Sequence, residues 1–158
     1  MPGIDIEVDG LDQLGDVTKA MAIEDEEIPN ALKGSIHESA GTLGDRARLR
    51  VILEPTHGKK HTGLRAEVAK GVGLQDIPDG YRVTTSMPTP SKAAIPRGMD
   101  QHGWRHPVFG QSDNWVVEGT ADFSWFMDTM QEGEDLVSDG LQKELENAAE
   151  RIDNAGRA

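Results

Sequence analysis

Five histidines are the residues of this chain whose type could bind a metal or transfer protons. His57 and His61 lie four residues apart in a segment rich in glycine and lysine, with Lys59 and Lys60 between them. Cations beside a metal site oppose binding because they repel the ion. This histidine pair therefore does not predict a metal centre.

A second histidine group has a better composition for metal chemistry. His102 and His106 are accompanied by Asp100 and Asp113, and imidazole and carboxylate are common ligands of divalent metals. One hypothesis is therefore a metal-dependent hydrolase that uses His102, His106 and Asp100. No spacing in the group fixes a coordination geometry, so we predict neither a metal site nor a cofactor.

The motifs of common catalytic sites are absent from the sequence. It contains no G-x-S-x-G, no H-E-x-x-H and no phosphate-binding glycine loop. It also contains no cysteine, which excludes thiol nucleophiles and disulfide bonds. We therefore predict that the protein is not an enzyme and has no catalytic residues.

Aromatic residues concentrate in one segment, since six of the seven lie within 23 residues and only Tyr81 falls outside. Aromatic side chains dominate cores and interfaces, so this segment is expected to anchor one or the other. Pro107 favours extended geometry at the residue before it, and Gly110 permits a turn. We predict that residues 102–117 form a rigid extended loop that leads into a strand at 115–117.

Hydrophobic periodicity predicts the elements of the N-terminal half. Alternation predicts a strand at 4–8, and helical spacing predicts a short helix at 11–21. A longer apolar repeat predicts an amphipathic helix from Pro29 to about Leu53, which stops before Pro55.

The second half is predicted to contain a hairpin, an irregular segment and a helix. Residues 64–74 and 81–87 flank the turn sequence 76–80, which predicts a β-hairpin, with a helical turn at 64–66 as an alternative for its start. Residues 87–99 contain three prolines and are predicted to be loop or edge. One helical face then extends from 126 to 152.

Two glycines, Gly133 and Gly140, lie seven residues apart on the apolar face of that last helix. They either permit another backbone to approach closely or mark a hinge. The predicted fold class is α+β, with a small antiparallel sheet packed against a long N-terminal-half helix and a C-terminal helix. We expect a single domain, 1–158, with an α+β core at 4–120 and a C-terminal helical segment at 121–156.

Charge limits the classes of partner. The 28 acidic and 16 basic residues give a formal net charge of -12, which disfavours attraction of the whole molecule to DNA or anionic lipid. No apolar run approaches the roughly 20 residues that span a bilayer. Residues 46–70 are locally basic, which is typical of a solvated face with helix ion pairs, of a nucleic-acid patch, or of a docking strip for an acidic region of another copy.

Several short strings resemble a known family. They are T-G-L-R at 62–65, A-I-P-R-G-M-D at 94–100, and W-R-H-P-V-F-G at 104–110, with Trp115 shortly afterwards. Over about residues 4–155, the chain resembles the tail-completion or neck (head–tail connector) proteins of long-tailed bacteriophages. This is the gene-10-like tail component family, and forms from phages of Actinobacteria are the most similar.

The resemblance implies a structural virion protein of the head–tail junction, made in the host bacterial cytoplasm and without enzymatic activity. Its partners would be copies of itself in a hexameric or dodecameric ring and the neighbouring connector and tail proteins. DNA would pass through the lumen without specific binding, and no membrane would be involved. The matched strings indicate a fold-defining loop or ring contact formed by Trp104, Arg105, His106, Pro107, Val108, Phe109, Gly110 and Trp115.

Other functions remain open at this point. Within the same class, the protein could be a tail terminator or a head–tail stopper. From a different class, the acidity is compatible with a DNA-mimicking module that binds a host protein. Such a mimic should be monomeric, and its acids should form one surface stripe.

Overall fold

The computed structural model describes residues 27–54, 56–57, 63–78, 80–108, 111–118 and 124–157. The predicted N-terminal strand and first helix, at 4–8 and 11–21, lie outside these residues. The described elements, in chain order, are α1 (Glu27–Leu53), β1 (Thr56–His57), α2 (Leu64–Gly71), β2 (Val72–Ile77), β3 (Gly80–Thr85), a 3-10 turn (Pro90–Lys92), α3 (Ile95–His102), β4 (Trp104–Val108), β5 (Gln111–Glu118), α4 (Met127–Glu132) and α5 (Glu134–Gly156).

The long helix α1 confirms its sequence prediction. It begins with Glu27 and carries Pro29 in its first turn, where proline needs no backbone hydrogen bond. It ends at Leu53, where Arg65 donates to the carbonyl oxygens of Ile52 and Glu54. These bonds matter because the last carbonyls of a helix have no partner inside it.

The described strands form two antiparallel sheets, which confirms the predicted α+β class. β2 and β3 pair from Val72↔Thr85 to Ile77↔Gly80, and Gly80 adopts a φ of 155° at the end of the predicted turn. The second sheet has the strand order β1-β5-β4. The β2–β3 hairpin packs on α1, where Val83 lies beside Gly44.

Two predictions about local structure were wrong. Residues 64–71 form α2 rather than the first strand of the hairpin, so the alternative helical turn at 64–66 lies within a longer helix, which buries Val68 and Ala69 and packs on α1. Residues 87–99 contain the start of α3, since Pro96 occupies the first turn of that helix instead of interrupting the chain.

The aromatic segment also differs from its prediction. It is not an extended loop that leads into one strand, because it supplies both strands of the β4–β5 hairpin. Gly103 makes this possible with a φ of 72°, a left-handed conformation that turns the chain from α3 into β4.

The predicted C-terminal helical face is divided into two helices at Gly133, one of the two glycines for which a hinge was an alternative. α4 ends at Glu132 and α5 begins at Glu134, and the intervening Gly133 donates its N–H to the carbonyl of Met130. Gly133 is buried against Leu43, and a Cβ at this position would lie 2.1 Å from the Leu43 Cδ2. The predicted close approach is therefore present at the same residue as the interruption.

α5 runs antiparallel to α1 along this seam. Ile28 clusters with Ala148, Ser35 lies beside Gly140, and Leu43 lies beside Gly133. A Cβ on Gly140 would approach the Ser35 Oγ to 2.8 Å, so the two helices are as close as small residues allow. At the far end of the seam, Arg50 forms an ion pair with Glu132 at 2.8 Å.

Two clusters of buried residues form the core. The main cluster lies between α1, the β2–β3 hairpin and the segments around α3 and α4, and it consists of Ala40, Ala47, Val51, Val68, Ala69, Val72, Val83, Ile95, Met99, Trp125 and Phe126. A smaller cluster of Ile28, Leu32 and Ala148 lies at the opposite end of the α1–α5 seam. The two bulkiest core side chains, Trp125 and Phe126, directly precede α4.

The seam generates a stability prediction with an internal control. Gly133→Ala should lower the free energy of unfolding by about 1–3 kcal/mol, because the new methyl displaces the buried Leu43. The control is Gly41→Ala in α1, the helix that carries Leu43, where the new methyl meets no atom within 4 Å. This variant should raise the free energy of unfolding by up to about 1 kcal/mol. Urea denaturation of both variants measures the difference, and a shift of the same sign in both would contradict the close packing.

Candidate interface on the β4–β5 hairpin

The register of the hairpin assigns its side chains to two faces. Arg105 pairs with Val117 and Pro107 pairs with Trp115, so these four residues share one face. We call this the outer face. Trp104, one position earlier, belongs to the opposite or inner face.

The inner face is attached to the core. Trp104 is partly buried and packs against the main cluster, and Val116 is 3% exposed. The Trp104 ring lies directly on Gly98 of α3, where a Cβ would be 2.5 Å from the Trp104 Cε3. Trp104 therefore has the fold-defining role that was one of the two predicted for this segment.

The outer face presents an aromatic residue and a cation to the surroundings. Trp115 is 49% exposed, and the Cζ of Arg105 lies 4.9 Å from the centroid of its ring. This distance is within the range of a cation–π interaction, which orients both side chains without burying them. The pair is therefore accessible on the surface of the described part of the chain.

The remaining residues of the predicted loop contribute differently. His106 pairs with Val116 in the ladder, and the pairing becomes irregular between Pro107 and Val108. Phe109 and Gly110 lie outside the described residues. Proline has no N–H to donate, and it therefore suits the edge strand that β4 provides.

Asp100 has a structural task that the sequence did not reveal. Its buried carboxylate accepts hydrogen bonds from the backbone N–H groups of Phe126, at 2.6 Å, and Met127, at 3.3 Å. The hydroxyl of Ser124 donates to the Asp100 carbonyl at 3.0 Å. Asp100 thus satisfies the free N–H groups at the start of α4 from a different helix, α3, and positions Trp125 and Phe126.

Burial controls the titration of this carboxyl. Removal from water raises the pKa of Asp100 above its ordinary 3.8, while the bonds from Phe126 and Met127 act in the opposite direction. Oδ1 accepts both bonds, and Oδ2 has no hydrogen-bond partner among the described residues. A proton on Oδ2 is compatible with both bonds, because Oδ1 remains the acceptor.

The metal hypothesis gains no support from the described part of the chain. The Asp100 carboxylate is engaged by backbone N–H groups, and the described residues include no group of three or more histidine, aspartate and glutamate side chains that could hold a metal ion. None of the helices in the described residues combines the length and the apolar character that a membrane span requires.

Arginines of the locally basic stretch take partners inside the molecule. Arg48 donates to the carbonyl of Val72 at 2.7 Å, and Arg50 pairs with Glu132. Arg65 donates a hydrogen bond to the carbonyl of Ile52 at the end of α1. These contacts correspond to the interpretation of this stretch as a face with internal ion pairs, and they reduce its capacity as a nucleic-acid patch.

Two surface features were missed in the sequence. At the end of α1, Leu49, Ile52 and Leu53 are 59%, 49% and 68% exposed, on the side of the helix away from the buried Val51. On α5, a row of exposed acids follows one side of the helix: Asp135, Asp139, Glu146, Glu150 and Asp153. Their spacings of three, four and seven residues are the available sequence signal, because such residues share one helix face. We call this row the acidic stripe.

Comparison with protein-family models, curated protein sequences and solved structures found no significant match for this chain. The assignment of a function therefore depends on the residues and geometry described above and on the sequence resemblance.

The packing of Trp104 on Gly98 generates a second prediction. Gly98→Ala should lower the free energy of unfolding by about 1–3 kcal/mol and weaken the near-ultraviolet circular dichroism of tryptophan, because the methyl displaces the ring. Gly34→Ala, also in a helix, meets no atom within 4 Å and is the matched control. An unchanged tryptophan signal in Gly98→Ala would show that Trp104 is not anchored at this point.

The buried carboxyl generates a pH prediction. Unfolded Asp100 ionises near 3.8, whereas the folded protein keeps the proton to higher pH, so its contribution to stability is full below 3.8 and is lost as pH rises through the raised pKa. Asp100→Asn keeps an acceptor oxygen and cannot ionise. The variant should therefore gain stability relative to the parent as pH increases, measured by urea denaturation at a series of pH values. A difference that stays constant with pH would contradict the assignment.

Proposed function

We propose that the protein is a structural subunit of the head–tail junction of a long-tailed bacteriophage. In this proposal, copies form a ring that joins the tail to the head and lets DNA pass. The subunit is made in the host cytoplasm and becomes part of the virion neck. The family resemblance of residues 94–110 supports the proposal, together with a fold that presents those residues on a hairpin with one anchored face and one accessible face.

The observation that carries the proposal is the exposed Arg105–Trp115 pair. Tryptophan and arginine are the residues most enriched at the energetic centres of protein interfaces. Here the pair is held on a sheet whose other side is fixed by Trp104, so little conformational entropy is lost when a partner binds. A preorganised surface of this kind is expected for a protein that functions by assembly rather than catalysis.

The charge of the chain is compatible with a DNA channel. A net charge of -12 means that acidic residues outnumber basic ones. Carboxylates that line the lumen would repel the phosphates of passing DNA and prevent it from adhering. Neutralisation of lumen acids should then slow DNA ejection from assembled particles.

A second candidate function is favoured by the acidic stripe. Five acids on one exposed face of α5 extend over about 27 Å at 1.5 Å per residue, which is the arrangement expected of a protein that imitates the phosphates of DNA. Such a protein would bind a host DNA-binding protein as a monomer. The state of association therefore separates the two candidates.

Light scattering of the purified chain across concentration and salt tests the proposal. We expect assembly into a ring-sized species, and we expect Trp115→Ala to raise the dissociation constant at least about tenfold with little change in stability, since half of the side chain is exposed. Trp115→Phe keeps an aromatic ring over Arg105 and should retain most of the affinity. A parent protein of 17.2 kDa at every concentration would reject the ring and favour the acidic mimic.

A further inference from the structure

We propose that the outer face of the β4–β5 hairpin in one copy docks on the acidic stripe of α5 in the neighbouring copy. This inference rests on the proposed ring and identifies the two surfaces that form its repeating contact. It commits to a second copy of this chain as the occupant of the outer face.

Charge complementarity is the first argument. The Arg105 guanidinium lies over the Trp115 ring and Arg105 is exposed, so its N–H donors are accessible to an acceptor on another copy. Carboxylates are the strongest acceptors for a guanidinium. The acidic stripe offers five exposed carboxylates on the same molecule, with Gln142 between Asp139 and Glu146.

Four acids of the stripe lie on the N-terminal side of Asp153. Arg157 forms an ion pair with Asp153 at 2.9 Å, which neutralises the C-terminal end of the row. Glu146 accepts a hydrogen bond from the neutral Gln142 at 2.9 Å and keeps its negative charge. Asp135, Asp139, Glu146 and Glu150 are therefore the acids that a cation of the neighbouring copy would meet, with the exposed Lys143 at the edge of the row.

The outer face is shorter than the stripe and can contact part of it. The stripe is about 27 Å long at 1.5 Å per residue, and the five residues of β4 span about 17 Å. The stripe is exposed because α5 packs on α1 through its other side, where Gly133 and Gly140 lie. Both surfaces can therefore be occupied without rearrangement of the subunit.

The alternative pairings are disfavoured by charge. Two acidic stripes facing each other would repel, and contact between two outer faces would bring two Arg105 cations together without carboxylates from either stripe. Contact between the outer face of one copy and the acidic stripe of the next brings Arg105 to carboxylates and is attractive. Such a heterologous contact repeats from copy to copy and closes into a ring when the rotation allows it, whereas an isologous contact stops at a dimer.

Charge reversal tests the pairing. Glu146→Lys with Glu150→Lys should raise the dissociation constant of assembly at least about tenfold, measured by sedimentation equilibrium. The matched control is Glu38→Lys with Asp76→Lys, two exposed acids that lie off the stripe and give the same change in net charge. The control should assemble like the parent or more tightly, because it lowers the overall repulsion.

A compensating change gives the decisive comparison. Arg105→Glu alone should also weaken assembly about tenfold, and its combination with the two lysines on the stripe should bind more tightly than either partner variant. If the parent assembles but the control and stripe variants have the same dissociation constant, this inference is overturned and the ring is unaffected. The same conclusion follows if the combined variant binds more weakly than Arg105→Glu and the stripe variant. A parent that stays monomeric up to millimolar concentration overturns both the inference and the proposed ring.

Discussion

The close packing of α5 against α1 is the constraint on which the rest of the structure depends. α1 contacts the β2–β3 hairpin, α2, α4 and α5, so its position determines where these elements lie. Gly133 and Gly140 allow α5 to approach it at the distance of small side chains. The cost of glycine in a helix, about 1 kcal/mol at each position, is offset by the packing that the approach permits. Gly133 separates α5 from the preceding helix α4, and Asp100 holds the start of α4.

This arrangement explains how one hairpin serves two purposes. Asp100 and Gly98 belong to the same short helix, α3; Asp100 holds the backbone of Phe126 and Met127, and Gly98 packs against Trp104. With its inner face attached in this way, the β4–β5 hairpin presents Trp115 and Arg105 on a rigid support. The acidic stripe lies on the side of α5 that does not face α1. An exposed arginine–tryptophan pair and a row of carboxylates are thus both available on each copy, which is the requirement for a repeating contact.

Sequence reasoning succeeded where local signals and tertiary packing agree. Pro29 and Pro55 bracket a repeat long enough to establish α1, and the turn ending at Gly80 was recognisable from residue types alone. It did not predict the extent of α2 or the presence of α3, which are short helices stabilised by burial. Three prolines between 87 and 99 indicate loop or edge, but Pro96 occupies the first turn of α3. The roles of Trp104 and Trp115 could not be separated, because a shift of one residue in register would exchange their faces.

The most direct measurement of the central claim is hydroxyl-radical footprinting of the tryptophans in dilute and in assembled protein. Trp125 is fully buried and provides an internal reference that should react slowly in both states. Trp115 is half exposed in the subunit, and the account predicts that its oxidation rate falls several-fold when the protein assembles. Equal reactivity of Trp115 in dilute and assembled protein would contradict the claim that the outer face of the hairpin forms the contact between copies.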